Sequence, residues 1–320
     1  MSPSLVLLEN VLQALTAGIL IGSVYALMCV GLGLIFGVMR VINFAQGEFL
    51  MLGMYATLYA YTGLGLGRFL GPFVGPIAGA VIAGIVLYFV GILLHRYLLA
   101  RVTGIKVAGS EGEGHYPQLI LTLGVSLVLS NAGLIVFGST PENIRTPLSA
   151  SAWELGPLAA DHVSVFLNKA RSVAFLVSVG VAIALYFFIT RSRIGKTLRA
   201  AADNPEAATY MGIDVERAHR VAFGLGCAIT ALAGGLVATY YPFQPYVGLE
   251  FVIIMYTGVV LGGMGSIGGA FWGGLTIGLV QQLSTLLLPI QLQNTAIFVV
   301  FLLIVLLRPE GLFGRNVERA

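Results

Sequence analysis

Apolar residues run in stretches of about twenty along nearly the whole chain, a helix needing about 20 of them to cross the hydrocarbon of a bilayer, and polar residues collect in the gaps. The pattern predicts membrane-crossing helices near 11–36, 41–62, 72–94, 118–138, 172–190, 220–241, 250–264, 269–288 and 293–307. The second, seventh and eighth carry polar or Gly-rich interruptions, so they are expected to be tilted, broken or partly re-entrant, leaving about 8–9 spans. The expected fold is an all-α polytopic transmembrane helical bundle, with residues 1–320 in a single membrane domain. Two gaps stand out. Residues 139–171, with Pro141, Pro147, Pro157 and Trp153, are too polar and Pro-broken to span and read as an outer loop, either a connector or a contact for an extracytoplasmic partner. Residues 191–219 read as a cytoplasmic loop.

Composition agrees with a membrane protein: 58% of residues are hydrophobic and 10% charged, against roughly 25% charged in a soluble domain. The distribution of bases sets the sidedness. With the N-terminus outside, the cytoplasmic side collects Arg40, Arg96, Arg101, Lys106, Arg191, Arg193, Lys196, Arg199, Arg217, Arg220, Arg308, Arg315 and Arg319. Only Arg68, Arg145, Lys169 and Arg171 remain outside, so the basic bias predicts N outside and C inside. The opening MSPSLVLLEN has no basic region and no small-residue cleavage site, and no removable signal peptide is expected. Cys29 and Cys227 lie in apolar runs and suit packing. Nothing points to a nucleic-acid partner.

The polar stretch GKTLRAAADNPEAATYMGID at 195–214 contains Gly-Lys-Thr, yet it is not a phosphate-binding loop. That motif needs a glycine five residues before Gly195, where Thr190 stands, and a preceding buried strand, where a membrane helix ends. Its local chemistry is that of a short helix over 205–211. Asn204 is the N-cap, Pro205 the first helical residue, Glu206 complements the helix dipole, and Gly212 suits the left-handed terminator. Asp214 caps the next element, and 191–200 reads as a basic helix end suited to anionic headgroups of membrane lipid. Such a piece either transmits a push from a soluble motor or is a solvated connector that fixes sidedness.

Polar groups also enter the spans. In RVINFAQGEFLMLG at 40–53, a helix begun near Val41 puts Asn43 and Gln46 roughly on one face, with Glu48 offset from them around the helix. Glu48 then lies about 10 Å in, at ~1.5 Å per residue. An ionisable group there needs protein, water or a partner, so the three residues line a translocation path or latch helices together. Small residues repeat around 258–278, including Gly262, Gly263, Gly265, Gly268 and Gly269, and serve close helix packing or a flexible gate. A weak echo links Gly47-x-Phe49 with Gly269-x-Phe271. The four histidines, His95, His115, His162 and His219, show no metal-ligand spacing, and no Ser-His-Asp arrangement is available. No metal site and no catalytic residue is expected.

Glu206-Ala207-Ala208, followed by three residues and then Gly212, is similar to the E-A-A-x-x-x-G loop by which permease subunits of ATP-driven (ABC) importers meet their ATPases. The family's later I-x-L-P is absent, with Ala222 at the Ile position. DNPEAATYMGID at 203–214, RVINFAQGEFLMLG, VVLGGMGSIGGAFWGG at 259–274 and RPEGLFG at 308–314 together resemble the permease subunits of high-affinity branched-chain amino acid importers, over essentially the whole chain. The resemblance implies a non-enzymatic transport subunit of the bacterial inner membrane. It implies no cofactor bound here, ATP being used by two cytoplasmic ATPase subunits, with a second permease and an extracytoplasmic solute-binding protein as further partners. Related permeases for urea or short amides look alike. From the residues alone, an ion-gradient-driven carrier with Glu48 as proton site and a membrane scaffold both stay open.

Overall fold

A computed structural model describes residues 3–103, 116–158, 163–289, 292–308 and 311–313. Lys106, Arg315 and Arg319, counted above for sidedness, His115 and His162, and part of the RPEGLFG stretch lie outside the described residues. The helices are α1 (Pro3–Met39), α2 (Gln46–Thr62), α3 (Leu66–Phe69), α4 (Gly71–Leu94), α5 (Ala100–Thr103), α6 (Tyr116–Phe137), α7 (Lys169–Arg191), α8 (Arg193–Asp203), α9 (Pro205–Tyr210), α10 (Val215–Val237), α11 (Val247–Gly262), α12 (Ile267–Ser284) and α13 (Gln293–Leu307). A π-helical turn, His95–Leu99, joins α4 to α5. The chain is a polytopic helical bundle. Each predicted span has its helix, and five of them are long and apolar enough to cross a membrane.

The bundle has an inner and an outer layer. The apolar windows of α1 and α10 are 83% and 72% buried, whereas those of α6 and α7 are 22% buried. A helix apolar all round belongs inside a larger assembly or against lipid, and α1 from Val24 to Ile35 is sealed by protein. Glycines set the spacing. Gly18 and Gly22 of α1 lie against Leu279 and Leu275 of α12, and Gly274 backs onto Ala26, so the two backbones run in near contact and antiparallel. Gly84 and Gly91 of α4 do the same against Ala228 and Cys227 of α10.

These contacts reveal two inverted units. α1 runs antiparallel to α12 and parallel to α11, where Tyr25 meets Phe251 and Cys29 donates to the carbonyl of Met255. α10 runs antiparallel to α4 and parallel to α2, where Gln46 reaches Gly226 and Thr230 while Gly234 backs onto Leu50. In each unit a long helix is followed by a partly buried non-helical return and a short helix. After Met39 the chain passes through 40–45 back along α1, so that Gln46 lies level with Gly31, whose face abuts the same Thr230. After Val237, residues 238–246 return along α10 and bring Gly248 against Gly47. α2, with 17 residues, and α11, with 16, therefore reach only about 24–26 Å at ~1.5 Å per residue, short of the ~30 Å hydrocarbon. Their N-termini meet inside the bundle. Discontinuous helices paired in inverted repeats recur in membrane carriers.

Two expectations change. The second span is not helical from Val41: Arg40 has φ 53 and helix begins at Gln46. Asn43 uses its side chain on the backbone N–H of Ala45, a local bond that competes with the helix. The Gly269-x-Phe271 echo does not mark the structural counterpart of Gly47-x-Phe49, which lies at Gly248–Phe251. The all-α bundle stands, and the outer loop adds one small sheet to it. Within 139–171, β1 (Ala152–Leu158) and β2 (Val163–Asn168) pair antiparallel, with Trp153 opposite Leu167 and Leu155 opposite Val165. This hairpin is tied to α1 by Gln13, which donates to Phe166 O at 2.8 Å and accepts from Phe166 N at 2.9 Å. Glu142 pairs with Phe243, so the described part of this loop lies at the end of the bundle where α10 finishes. α8 and α9 sit at the other end, where α8 packs on α1 and α10.

Candidate functional site

Two places concentrate polar design: the α8–α9 projection and the buried meeting of α2 with α10 and α11. At the first, α8 leaves α7 through Ser192, whose hydroxyl accepts from Gly195 N at 2.9 Å. Gly195 is obligatory because a Cβ there runs into the Ile189 backbone. Leu198 and Ala201 are buried, anchoring α8 on the bundle, and Arg199 donates to Thr190 O at 3.1 Å. The 191–200 stretch is thus a separate amphipathic helix rather than a helix end.

α9 follows at once. Asn204 Oδ1 accepts from Ala207 N at 3.0 Å, Pro205 opens the helix and Glu206 lies in its first turn. The far end is closed by two bonds, Gly212 N to Thr209 O at 3.0 Å and Ile213 N to Ala208 O at 2.9 Å, with Gly212 at φ 81. Asp214 Oδ1 then accepts from Arg217 N at 2.9 Å and starts α10. Ala208 is the buried residue of α9, turned toward the body. The chain outlines a stiff projection whose tip carries Tyr210 and Met211, 89% and 82% exposed. Sequence reading passed over these two. Their signal was an aromatic and a methionine in an otherwise small, polar stretch.

At the second place, Asn43, Gln46 and Glu48 come together, with Asn43 presented by the extended return and not by a helix face. All three are buried. Asn43 Nδ2 donates to Gln46 Oε1 at 2.9 Å, and Gln46 Nε2 donates to Thr230 Oγ1 at 2.5 Å and Gly226 O at 3.2 Å, tying the start of α2 to the middle of α10. Glu48 points elsewhere. Its Oε1 accepts from Ser126 of α6 at 3.1 Å, while Oε2 is buried beside Gly248 with no hydrogen-bond partner among the described residues. Thr230, Thr122 and Ser126 complete the cluster and carried no sequence signal, being single hydroxyls in apolar spans.

The glycine set divides. A Cβ on Gly262 meets the Ala270 amide at 2.9 Å, and one on Gly269 meets the Gly262 carbonyl carbon at 3.1 Å, so this pair is a backbone contact between α11 and α12. Gly263 at φ 100 and Gly265 at φ 94 make the turn between them, and Gly268 faces open space. Ser266 caps α12 through Gly269 N at 3.0 Å. Leu312 N bonds Leu261 O at 2.8 Å and Phe313 N bonds Gly262 O at 3.2 Å, strapping the turn from outside.

Inverted broken-helix units around a buried polar centre, with a capped projection at one end, define a multi-pass membrane protein of the transporter class. Comparison with known proteins narrows the class. The family described as branched-chain amino acid transport system / permease component matches residues 14–307, and the chain belongs to that family. It is 31% identical over 306 residues to the high-affinity branched-chain amino acid transport system permease protein LivH of Escherichia coli K12, covering 95% of this chain and 96% of that one. The protein of the same name from Salmonella typhimurium LT2 is 30% identical over 306 residues, with the same coverage. BraD of Pseudomonas aeruginosa, also a high-affinity branched-chain amino acid transport system permease protein, is 30% identical over 305 residues, again 95% and 96%. No solved structure matches the chain.

Proposed function

We propose that the chain is the permease subunit of an ATP-driven importer of branched-chain amino acids or other small amino acids, working with a second permease, two cytoplasmic ATPases and an extracytoplasmic solute-binding protein. One observation carries the reading beyond the family: α9 is capped at both ends and ends in an exposed Tyr210–Met211 pair that nothing covers among the described residues. Exposed aromatic and Met side chains on a rigid element are typical anchors of protein contacts. In this reading Asn204, Pro205, Glu206, Ala207, Ala208, Gly212 and Asp214 build the coupling element. ATP-driven movement of the ATPases pushes α9, α8 passes the push to α1 and α10, and the bundle alternates between outward and inward access. ATP is bound by the partners and no cofactor by this chain.

Asn43 and Gln46 act as a latch between α2 and α10, while Gly262, Gly263, Gly265, Gly268 and Gly269 serve close packing and the turn. The protein sits in the bacterial inner membrane with N outside and C inside. Arg40, Arg96, Arg191, Arg193, Arg217 and Arg220 cluster around the α8–α9 end, which supports a cytoplasmic position for it. The test is leucine uptake into vesicles holding the complete transporter. Uptake that needs ATP inside the α9-facing compartment and survives an ionophore supports the reading. Uptake collapsed by the ionophore with ATP intact makes the protein a gradient-driven carrier, and preference for urea or short amides over leucine revises the substrate.

A further inference from the structure

The side of α11 that turns away from the bundle carries a carboxylate. Phe251, Met255 and Gly258 are buried, whereas Tyr246, Leu249, Glu250 and Ile253, spaced as one helical stripe, are exposed. α11 starts inside the bundle, so this carboxylate sits deep. Phe251 is level with Tyr25 of α1, about 21 Å from Met39 at ~1.5 Å per residue, and Ala26 lies beside Gly274, about 15 Å from the Ser284 end of α12. Glu250 therefore lies within a hydrocarbon layer ~30 Å thick. Its partner is the Tyr241 hydroxyl, 3.2 Å from both carboxylate oxygens, and among the described residues no cation pairs with it. A carboxylate offers about four lone-pair sites, so one hydroxyl leaves most of them open. An ionisable side chain at that depth is costly against lipid, and its face has to meet water or protein. The surroundings are aromatic and apolar: Tyr241 packs edge-on to Phe251 at 5.6 Å and Phe251 to Tyr25 at 6.1 Å, while Tyr246, Leu249 and Ile253 flank the carboxylate on the open side.

We propose that Glu250, positioned by Tyr241, is the binding group for the ammonium of the transported amino acid, with Tyr246, Leu249 and Ile253 receiving its apolar side chain. The chemistry selects that class of solute: a carboxylate backed by aromatic rings suits a primary ammonium, and the apolar surface beside it suits an aliphatic side chain. A neutral solute such as urea brings no charge for the carboxylate to meet. The inference rests on the transport reading above, with the open face of α11 wetted between this bundle and the second permease, and adds the group that recognises the solute.

The test uses the complete transporter in vesicles, with the buried native thiols Cys29 and Cys227 left in place. Ile253→Cys puts a thiol about one turn along α11 from Glu250, and Ile183→Cys, on the exposed side of the outer helix α7, is the control. Cationic and anionic membrane-impermeant methanethiosulfonates are applied during ATP turnover. A thiol reacts where water reaches it, so Ile253→Cys should label and Ile183→Cys should not. Relative to their rates on free cysteine, the cationic reagent should be favoured roughly tenfold, since a cleft of one charge concentrates its counter-ion, and adding Glu250→Gln should abolish that preference. Glu250→Gln alone, which keeps the Tyr241 contact, should cut leucine uptake roughly tenfold at an unchanged unfolding midpoint, whereas Glu250→Asp should keep most of it. ATP-driven leucine uptake by the unlabelled Ile253→Cys transporter checks the transport reading separately. With that uptake present, an Ile253→Cys thiol as unreactive as the control, a charge preference that survives Glu250→Gln, or wild-type uptake by Glu250→Gln overturns the proposal. Loss of the second permease from the purified Glu250→Gln transporter also overturns it, making Glu250 a tie between subunits.

Discussion

The bond from Gln46 to Thr230 is the shortest polar link between α2 and α10, and its contribution can be isolated. Gln46→Leu removes the donor to Thr230 and to the Gly226 carbonyl and also strands Asn43 Nδ2, which now donates to Gln46 Oε1. A stranded buried donor costs about 1–3 kcal/mol, and an interhelical bond in a membrane protein averages about 0.6 kcal/mol, reaching about 1.7. The single change should therefore destabilise by about 2–4 kcal/mol. Thr230→Val removes the acceptor alone and should cost about 1 kcal/mol. In the double mutant the two effects should not add, leaving a coupling of about 0.6–1.7 kcal/mol. The assay is unfolding of the purified protein in mixed micelles of rising SDS fraction, for wild type, both singles and the double. Thr230→Ser, which keeps the hydroxyl, should restore most of the loss. A coupling within about 0.3–0.5 kcal/mol of zero, the range of independent sites, refutes the latch.

Other perturbations test other joints of the structure. Asn204→Ala removes the cap on Ala207 N and should weaken α9 by about 0.5–2 kcal/mol, read as faster backbone hydrogen exchange over 205–210 and a fall in ATP-driven uptake. Gly212→Pro cannot adopt φ 81 and loses the N–H that bonds Thr209, so uptake should vanish while the protein still inserts; normal uptake in that mutant counts against α9 as the coupling element. Gly47→Ala places a methyl 2.7 Å from the Gly248 carbonyl carbon and should cost about 1–3 kcal/mol in stability, whereas Gly268→Ala, which meets open space, should be nearly neutral.

Where one residue type dictates the local conformation, the sequence was readable. Asn204, Pro205, Gly212 and Asp214 have few alternatives to a capped short helix, and the structure forms that helix between them. The long apolar runs likewise announce helices, because lipid leaves the backbone no other partner. The return at 40–45 was hidden, since an apolar run gives no sign of it and what holds it, the Asn43 bond to Ala45 N and the tie of Gln46 to α10, appears only in the packed structure. The inverted pairing of the two units was equally hidden: it rests on Gly47 touching Gly248, a contact between residues two hundred positions apart. The hairpin at 152–168 was masked by the prolines around it, although Trp153, Leu155, Val165 and Leu167 alternate as half-buried strands do. The buried cluster was half visible. Asn43, Gln46 and Glu48 stand out in an apolar run, whereas Thr230, Thr122 and Ser126 gain meaning only from what they touch.

The central claim is that an external motor drives this bundle through α9, and it is tested most directly at Tyr210. A photoreactive phenylalanine is placed there in the complete transporter in native membranes and illuminated. The account predicts an adduct with the ATPase subunit whose yield changes with nucleotide. Illumination that never joins Tyr210 to an ATPase, together with modification of a Tyr210→Cys variant by an impermeant reagent from outside intact cells, contradicts it.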